Sequence, residues 1–166
     1  MTELKLNIVI RTANPKDVNE IQILNSKLFE SDSRFDQTFQ MDWPMSKEGK
    51  KYFIKRITKD NGLAILAVDE NSGKVAGYLI GAACNAQSHR KKMIVANLEN
   101  MFVKEEFRSR GIGTKLYNEF LKWSQEKNAN RIKVEASAKN DLAIKFYRRQ
   151  GFEDYDLVLE KEIWIN

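Results

Sequence analysis

The chain has only one cysteine and one histidine, and each scarcity argues against particular kinds of site. Its one cysteine, Cys84, excludes an intramolecular disulfide and a metal cluster built on cysteines. Its one histidine, His89, has no cysteine or carboxylate at ligand spacing nearby, so it does not indicate a metal site. No apolar run approaches the ~20 residues that a helix needs to cross a bilayer. Residues 1–6 lack the basic and apolar pattern of a secretory signal. We therefore expect a cytoplasmic protein with no metal and no membrane partner.

The composition is that of a folded protein with helices and strands. Of the 166 residues, 42% are hydrophobic and 31% are charged, which does not suit a disordered chain. This length predicts a single domain over residues 1–166. The formal net charge of +5 attracts anions. The chain lacks the usual nucleic-acid recognition motifs, so we expect no nucleic-acid partner.

Hydrophobic periodicity predicts strands and helices along the whole chain. The predicted strands cover residues 8–11, 63–69, 74–83, 92–103 and 131–137. Residues 155–165 are predicted to form one or two further antiparallel strands. Helices are predicted after the Asn14–Pro15 cap, over 46–58, over 114–127, and as a short helix that carries Tyr147.

A glycine-rich turn lies between the strand over 92–103 and the helix over 114–127. Its sequence is Arg108-Ser109-Arg110-Gly111-Ile112-Gly113. Glycines let a ligand approach the backbone, and the start of a helix adds N–H groups and partial positive charge, so such a turn suits a phosphate. The turn lacks the Lys-Ser/Thr ending of a P-loop and the third glycine of a dinucleotide fingerprint.

The turn resembles the Arg/Gln-x-x-Gly-x-Gly/Ala pyrophosphate loop of the GNAT superfamily of N-acetyltransferases, which use acetyl-coenzyme A. Further features follow in the family's order: the strand over 131–137, then Asn140, then a short helix with Phe146-Tyr147 that closes on Gly151-Phe152. The likeness is specific over about residues 94–155. It implies a GNAT-like α/β fold, with a central, mostly antiparallel twisted sheet of about six to seven strands. That sheet would be splayed between strands 4 and 5 and flanked by about four helices.

The resemblance also implies acetyl-coenzyme A as co-substrate, whose negative charge accounts for the basic composition. Its pyrophosphate would meet main-chain N–H groups of the turn, and its pantetheine arm would meet the main chain of the fourth strand and Asn140. The implied cofactor-binding residues are Met101, Phe102, Val103, Arg108, Ser109, Arg110, Gly111, Ile112, Gly113, Thr114 and Asn140. An N–H near Met101 would also polarise the thioester carbonyl. Capping of the short helix explains Asn140 equally well.

Two side chains are the candidate acid and base. By the resemblance, Tyr147 protonates the departing thiolate, which a phenol with a pKa of ~10 can do, and packing in the core is its alternative role. An alkyl amine is mostly protonated at pH 7 and needs a base. Glu99 is the predicted base, and a solvent-facing charge or a lysine partner is its alternative role. Asp42 and Glu30 are weaker candidates for the base.

The irregular segment 31–45 is the predicted acceptor side. Its candidate substrate-binding residues are Phe35, Phe39, Asp42 and Trp43. These aromatic side chains would either wall an acceptor pocket or close the core. The acidic residues in and beside the segment are Glu30, Asp32, Asp36 and Asp42. They favour a small cationic amine as acceptor.

The sequence thus predicts an N-acetyltransferase that moves an acetyl group to a primary amine by direct transfer in a ternary complex. Peptide amines, at protein N-termini or lysines, are the alternative acceptors. A non-catalytic acyl-coenzyme A sensor is the alternative function, although the presence of both Tyr147 and Glu99 argues against it. A homodimer that pairs Trp164 and its neighbours with a second chain is a further expectation.

Overall fold

The protein is seen in a computed structural model that describes residues 6–163. Contacts between Cα atoms divide the chain into two compact units, Met1–Glu135 and Ala136–Asn166. The predicted single domain over 1–166 stays a prediction, and the two units are described separately below.

The first unit is one mixed sheet with three helices. Its strands are β1 Ile8–Thr12, β2 Gly62–Asp69, β3 Lys74–Asn85, β4 Ile94–Val103 and β5 Arg131–Val134. Its helices are α1 Val18–Asp32, α2 Lys47–Thr58 and α3 Ile112–Glu126. The strand order is β1-β2-β3-β4-β5, with antiparallel neighbours except for the parallel pair β4–β5. The predicted elements of this unit and their mostly antiparallel sheet are confirmed.

The expected count of six to seven strands is wrong for the described residues, which form five. Residues 155–163 form no strand, and the apolar side chains of Leu157 and Val158 are 77% and 78% exposed. A strand needs a partner for its backbone groups, and the apolar pattern that predicted one here cannot supply that partner. Trp164, on which the expected dimer contact depended, lies outside the described residues.

The two faces of the sheet pack against different helices. Even-numbered β3 residues such as Tyr78 and Ile80 join a buried cluster with Ile21 of α1 and Phe53 of α2. Gly81 lies on the opposite face, because side chains alternate along a strand. A Cβ on Gly81 would come within 2.4 Å of the Phe120 ring of α3, so glycine is what lets this helix approach the sheet.

A bulge interrupts the pairing of β3 with β4. Ile80 pairs with Asn100, whereas the next residue, Gly81, pairs with Leu98, so Glu99 is an extra residue in β4. The pairing of β4 with β5 ends at Leu98 and Val134, the same level of the sheet. The second half of β4 therefore has β3 on one side and no β5 residue on the other.

The second unit contains the fourth helix, α4 Asp141–Arg149, so the expected count of about four helices is confirmed for the described residues. The Asn140 side chain caps α4 by accepting a hydrogen bond from the Ala143 amide at 3.1 Å. Gly151 ends it with a φ of 89°, which a residue with a side chain rarely adopts.

Candidate functional site

The glycine-rich turn has the backbone that its sequence predicts. Gly111 takes a left-handed φ of 75° immediately before α3, and Ser109 takes a φ of 60°. A Cβ on Gly111 would meet no atom within 4 Å, so the space above this residue is open. No side chain caps α3, and its first turn contains no acidic residue. The turn therefore offers backbone N–H groups and the positive end of a helix dipole to an anion.

The basic side chains of the turn differ in what they contact. Arg108 donates from Nε to the Val103 carbonyl at 2.9 Å, and its guanidinium lies 5.3 Å from the centre of the Phe102 ring. Lys115, one turn into α3, donates to the Ile8 carbonyl at 3.3 Å. Arg110 is exposed and makes no hydrogen bond or ion pair within the described part of the chain. Arg110 is thus the side chain of the turn best able to meet an incoming anion.

A cavity of about 450 Å³ adjoins the turn between α1 and the end of β4. Its lining is mostly charged and consists of Lys27, Glu30, Ser31, Arg34, Phe102, Lys104, Glu105, Glu106 and Arg108.

The second half of β4 directs backbone groups to the edge along which β5 no longer pairs. The Lys104 amide donates to the Ala76 carbonyl of β3 at 2.9 Å. Alternate residues of an antiparallel strand point their N–H and C=O groups to opposite neighbours, so Met101 and Val103 point theirs away from β3. This is the edge where pairing with β5 has ended.

Glu99 does not lie free on the surface. Arg56 of α2 donates from Nε to Glu99 Oε2 and from Nη2 to Oε1, both at 2.6 Å. Tyr52 donates its hydroxyl to Oε2 at 2.7 Å. The side chains of Glu99 and Arg56 are only 23% and 15% exposed. The partner of Glu99 is thus an arginine on another element and not the lysine that the sequence offered as an alternative.

The bulge explains how two neighbouring β4 residues reach the same helical layer. The extra residue Glu99 turns toward α2, and so does Asn100, whose Nδ2 donates to the Tyr52 hydroxyl at 2.8 Å. From there a hydrogen-bonded chain continues inward. Asn25 of α1 donates from Nδ2 to Asn100 Oδ1 at 2.9 Å and to the Tyr78 hydroxyl at 2.8 Å.

The inner end of this network, at Asn25 and Tyr78, is fully shielded from water. Burial raises the pKa of Tyr52 well above its ordinary value, and the negative charge of Glu99 raises it further. Burial likewise raises the pKa of Tyr78, which is fully buried. Both phenols therefore stay protonated at physiological pH and act as hydroxyl groups. Asn25 Oδ1 is buried and lacks a hydrogen-bond donor among the described residues.

The predicted acceptor-side aromatics do not form one group. Phe39 and Trp43 both contact Phe29 of α1, with ring centres 4.7 Å and 6.0 Å apart. Trp43 also contacts Tyr52, at 5.6 Å, and packs against the buried core. Phe35 instead lies under the guanidinium of Arg34, 4.6 Å from it. Asp42 is exposed at the start of a short 3₁₀ turn. Trp43 thus packs against the core and Phe39 packs on Phe29, and part of the surface of each faces solvent.

Within the second unit, Tyr147 packs among aromatic side chains. Its ring centre lies 5.3 Å from that of Phe146 and 5.5 Å from that of Phe152. The Tyr147 carbonyl also accepts the Phe152 amide at 3.1 Å, which closes the end of α4. These contacts fix the ring within its own unit.

Sequence reasoning missed Arg56, Asn25 and Asn100. Arg56 and Glu99 are 43 residues apart, and Asn25 and Asn100 are 75 apart, so no local spacing indicates either pair. The one signal in the sequence is that Asn25 and Asn100 are polar residues at positions where the hydrophobic pattern of the helix or strand predicts a buried side chain. Asn25 follows the helical spacing of Val18 and Ile21, and Asn100 precedes the buried Phe102.

None of the helices in the described part of the chain is long and apolar enough to cross a membrane. Histidine, cysteine and carboxylate side chains in the same residues form no group of three that could hold a metal ion.

Comparison with known proteins identifies the family. Residues 27–152 match the model of the acetyltransferase (GNAT) family, which is most of the chain. The uncharacterized N-acetyltransferase MJ1207 of Methanocaldococcus jannaschii is 28% identical over 149 residues, or 90% of this chain. The chain spans 62% of the length of that relative. The protein therefore belongs to the acetyltransferase (GNAT) family.

Two further matches carry more specific names. The N-alpha-acetyltransferase 30 of Schizosaccharomyces pombe is 28% identical over 113 residues, which cover 68% of this chain and 69% of that protein. The aminoglycoside N-acetyltransferase AAC(6′)-Iy, solved in complex with coenzyme A, superposes with a TM-score of 0.74. That match covers 98% of this chain and 99% of the other at 17% identity, so it shows a shared fold.

Proposed function

We propose that this acetyltransferase moves an acetyl group from acetyl-coenzyme A to a primary amine by direct transfer in a ternary complex. The proposal depends on the backbone geometry of the second half of β4. Its Met101 and Val103 backbone groups point to an edge that β5 leaves uncovered, and the strand leads into a glycine turn at the start of α3. An extended strand edge that is followed along the chain by an anion-binding turn suits a long ligand that carries a phosphate group.

The residues present fit coenzyme A. The open space above Gly111 and the absence of acidic residues in the first turn of α3 suit its pyrophosphate. We propose the backbone from Ser109 to Thr114 as the donor set, with Arg110 as the charged partner. Met101, Phe102, Val103 and Asn140 remain the proposed contacts of the pantetheine arm. The Val103 carbonyl already accepts from Arg108, so its amide is the more available of its two backbone groups.

Acetyl-coenzyme A supplies an activated acetyl group as a thioester. In the proposed reaction the amine nitrogen forms a bond to the acetyl carbon as the carbon–sulfur bond breaks. The Met101 amide donates a hydrogen bond to the carbonyl oxygen as negative charge builds on it. Tyr147 gives its proton to the departing sulfur, and the proton lost by the amine passes to a base.

Glu99 is the proposed base, and its contacts restrict how it would act. A carboxylate has about four acceptor positions, and Arg56 and Tyr52 fill three of them. The position that remains is on Oε1, so the amine proton would arrive there, directly or through one water. Protonation would also leave Arg56 with no anionic partner. The competing role of Glu99 is to hold the bulge in place through Arg56.

The acceptor is proposed to be a small cationic amine. The acidic residues beside the first and second helices support this, as does the fold shared with an aminoglycoside N-acetyltransferase. A peptide N-terminus is the second candidate, favoured by the similarity to N-alpha-acetyltransferase 30. The deciding assay measures thiol release from acetyl-coenzyme A with a panel of amines and peptides. Binding of acetyl-coenzyme A without thiol release on any acceptor would favour the sensor instead.

The first prediction concerns the turn. Gly111→Asp should abolish the rise in melting temperature that coenzyme A gives the wild-type protein, because a carboxylate would enter the proposed pyrophosphate site. Gly73→Asp is the matched control, since Gly73 also has a positive φ, 68°, and open space for a Cβ. The Gly73→Asp protein should lose similar stability but keep the rise in melting temperature that coenzyme A gives. A Gly111→Asp protein that folds and still shows the full shift would exclude this placement.

Tyr147 is tested by Tyr147→Phe, which removes the hydroxyl and keeps the ring. We expect kcat to fall on the order of 10–10³-fold, with a much smaller change in the Kd of coenzyme A. Tyr155→Phe, at an exposed tyrosine of the same unit, is the control. Wild-type kcat in Tyr147→Phe would leave Tyr147 with a packing role only.

The role of Glu99 is tested by comparing Glu99→Gln with Arg56→Met. If Glu99 is the base, Glu99→Gln should lose on the order of 10²–10⁴-fold in kcat/KM near pH 7. It should recover part of this at high pH, where free amine is abundant. Arg56→Met keeps the carboxylate and should lose less. Equal losses in both variants at every pH, with folding verified, would assign Glu99 to holding the bulge.

A further inference from the structure

Three loops at one end of the sheet carry most of the net positive charge of the protein. They are residues 59–61 before β2, 86–93 between β3 and β4, and 127–130 before β5. Five basic residues and one acidic residue give these loops a net charge of +4, whereas the whole chain has +5. We call this surface the basic end. Its charged residues are Lys59, Asp60, Arg90, Lys91, Lys92 and Lys127.

Side-chain and backbone contacts hold the three loops together. The Asn130 amide donates to the carbonyl of Ile94, the first residue of β4, and the Ile94 amide donates to Asn130 Oδ1, both at 2.9 Å. Lys127 Nζ lies 2.9 Å from Asp60 Oδ1. The loops therefore form one surface across the ends of the strands from β2 to β5, and the one carboxylate among them is already paired.

The basic end is far from the proposed cofactor site. β4 runs for ten residues from Ile94, beside the loop 86–93, to Val103, which leads to the glycine turn. An extended strand of this length spans about 30 Å. Exposed charges are screened over about 8 Å at physiological ionic strength. Segment 104–111, which leads into α3, has three basic and two acidic residues, a net charge of only +1. Most of the excess positive charge is therefore too far away to act on a cofactor at the turn.

The longest of the three loops, 86–93, presents its side chains to solvent. Its residues from Gln87 to Lys92 are all exposed. The side chains of Lys91 and Lys92 make no hydrogen bond and no ion pair within the described part of the chain. Adjacent like charges repel one another, so an anion that reaches this loop is attracted by both lysines.

The other side chains of the basic end indicate which anionic partner it fits. Within the described part of the chain, the large apolar side chains that are exposed all lie outside the three loops. An interface with another protein has an apolar and aromatic centre, and a helix or loop that enters a membrane surface inserts apolar side chains. A nucleic-acid backbone needs neither, because lysine, arginine, amide and hydroxyl side chains bond to its phosphates and sugars. The loops expose Gln87, Ser88 and Asn128 beside their basic residues.

The same loops favour a duplex over a single strand. Proteins hold single strands by stacking the bases on aromatic side chains. The three loops contain no phenylalanine, tyrosine or tryptophan. A duplex carries one negative charge per about 1.7 Å of its axis, and the ends of four neighbouring strands span about 14 Å, so several phosphates meet the basic end at once.

We propose that the basic end binds the phosphodiester backbone of a nucleic-acid duplex without reading its bases. Lys91 and Lys92 contact the phosphates, and the exposed amide and hydroxyl side chains of the loops bond to phosphate or sugar oxygens. The sequence predicted no nucleic-acid partner because it lacks recognition motifs, but contacts to the backbone carry no sequence information and need no such motif. Because the glycine turn is at the other end of β4, the duplex and coenzyme A bind at the same time.

The test measures binding of a fluorescent duplex by anisotropy over a series of salt concentrations. RNA and DNA duplexes of the same sequence are used, each of about 20 base pairs, which exceeds the length of the surface. Lys91→Gln with Lys92→Gln should weaken binding about 10-fold or more at about 50 mM salt and reduce the slope of log K against log salt by about two. The control, Lys50→Gln with Lys51→Gln, removes the same charge from adjacent exposed lysines of α2 and should stay within about 3-fold of the wild type.

The outcomes are independent of acetyl transfer, so the proposal and the proposed function can fail separately. Saturating coenzyme A at constant ionic strength should leave the duplex bound. No binding at about 50 mM salt, equal weakening by both double variants, or displacement by coenzyme A would overturn the proposal. Tighter binding to poly-glutamate or to phosphatidylserine vesicles than to either duplex would also overturn it, and would assign the basic end to an acidic protein or to a membrane surface.

Discussion

One extra residue in β4 is the constraint on which the rest of the site depends. Glu99 has no partner in β3. The side chains of the residues after it therefore point to the face opposite to the one that regular alternation along β4 would give. Pairing with β5 ends at Leu98, the residue before the bulge. The strand is thus an ordinary central strand up to the bulge and an edge strand beyond it. An edge strand carries backbone groups that can bond to a ligand. The proposed cofactor site is this edge.

A strand with a bulge and an uncovered edge needs other interactions to fix its position. In this chain they come from α1 and α2, through the polar network that links Asn25, Asn100, Tyr52, Arg56 and Glu99. Buried polar groups stabilise one arrangement only when nearly all are satisfied. Here the described exception is Asn25 Oδ1. Hydrogen bonds and an ion pair therefore couple α1 and α2, beside the proposed acceptor side, directly to the strand proposed to hold the cofactor.

The sequence predicted the parts of the site that depend on local chemistry. The glycine turn, the helix after it and the Asn140 cap follow from residue types at fixed spacing, and all three are present. The ion pair of Glu99 with Arg56 could not be predicted, because its residues are far apart and the bulge that joins them leaves no sequence signal. The C-terminal strands were predicted from an apolar pattern, but residues 155–163 form no strand. The sequence places Phe35 in one irregular segment with Phe39 and Trp43, yet its ring contacts Arg34 instead.

Amide hydrogen exchange, measured by NMR, tests the central claim most directly. That claim is that coenzyme A lies along the half of β4 that β5 leaves unpaired and ends at the glycine turn. Coenzyme A should slow exchange at the amides of Met101 and Val103 and at those from Gly111 to Gly113. The amides of Ala96 and Leu98, in the half of β4 that already pairs with β5, should be unchanged. Protection of the turn without β4, or equal slowing along the whole strand, would contradict this placement.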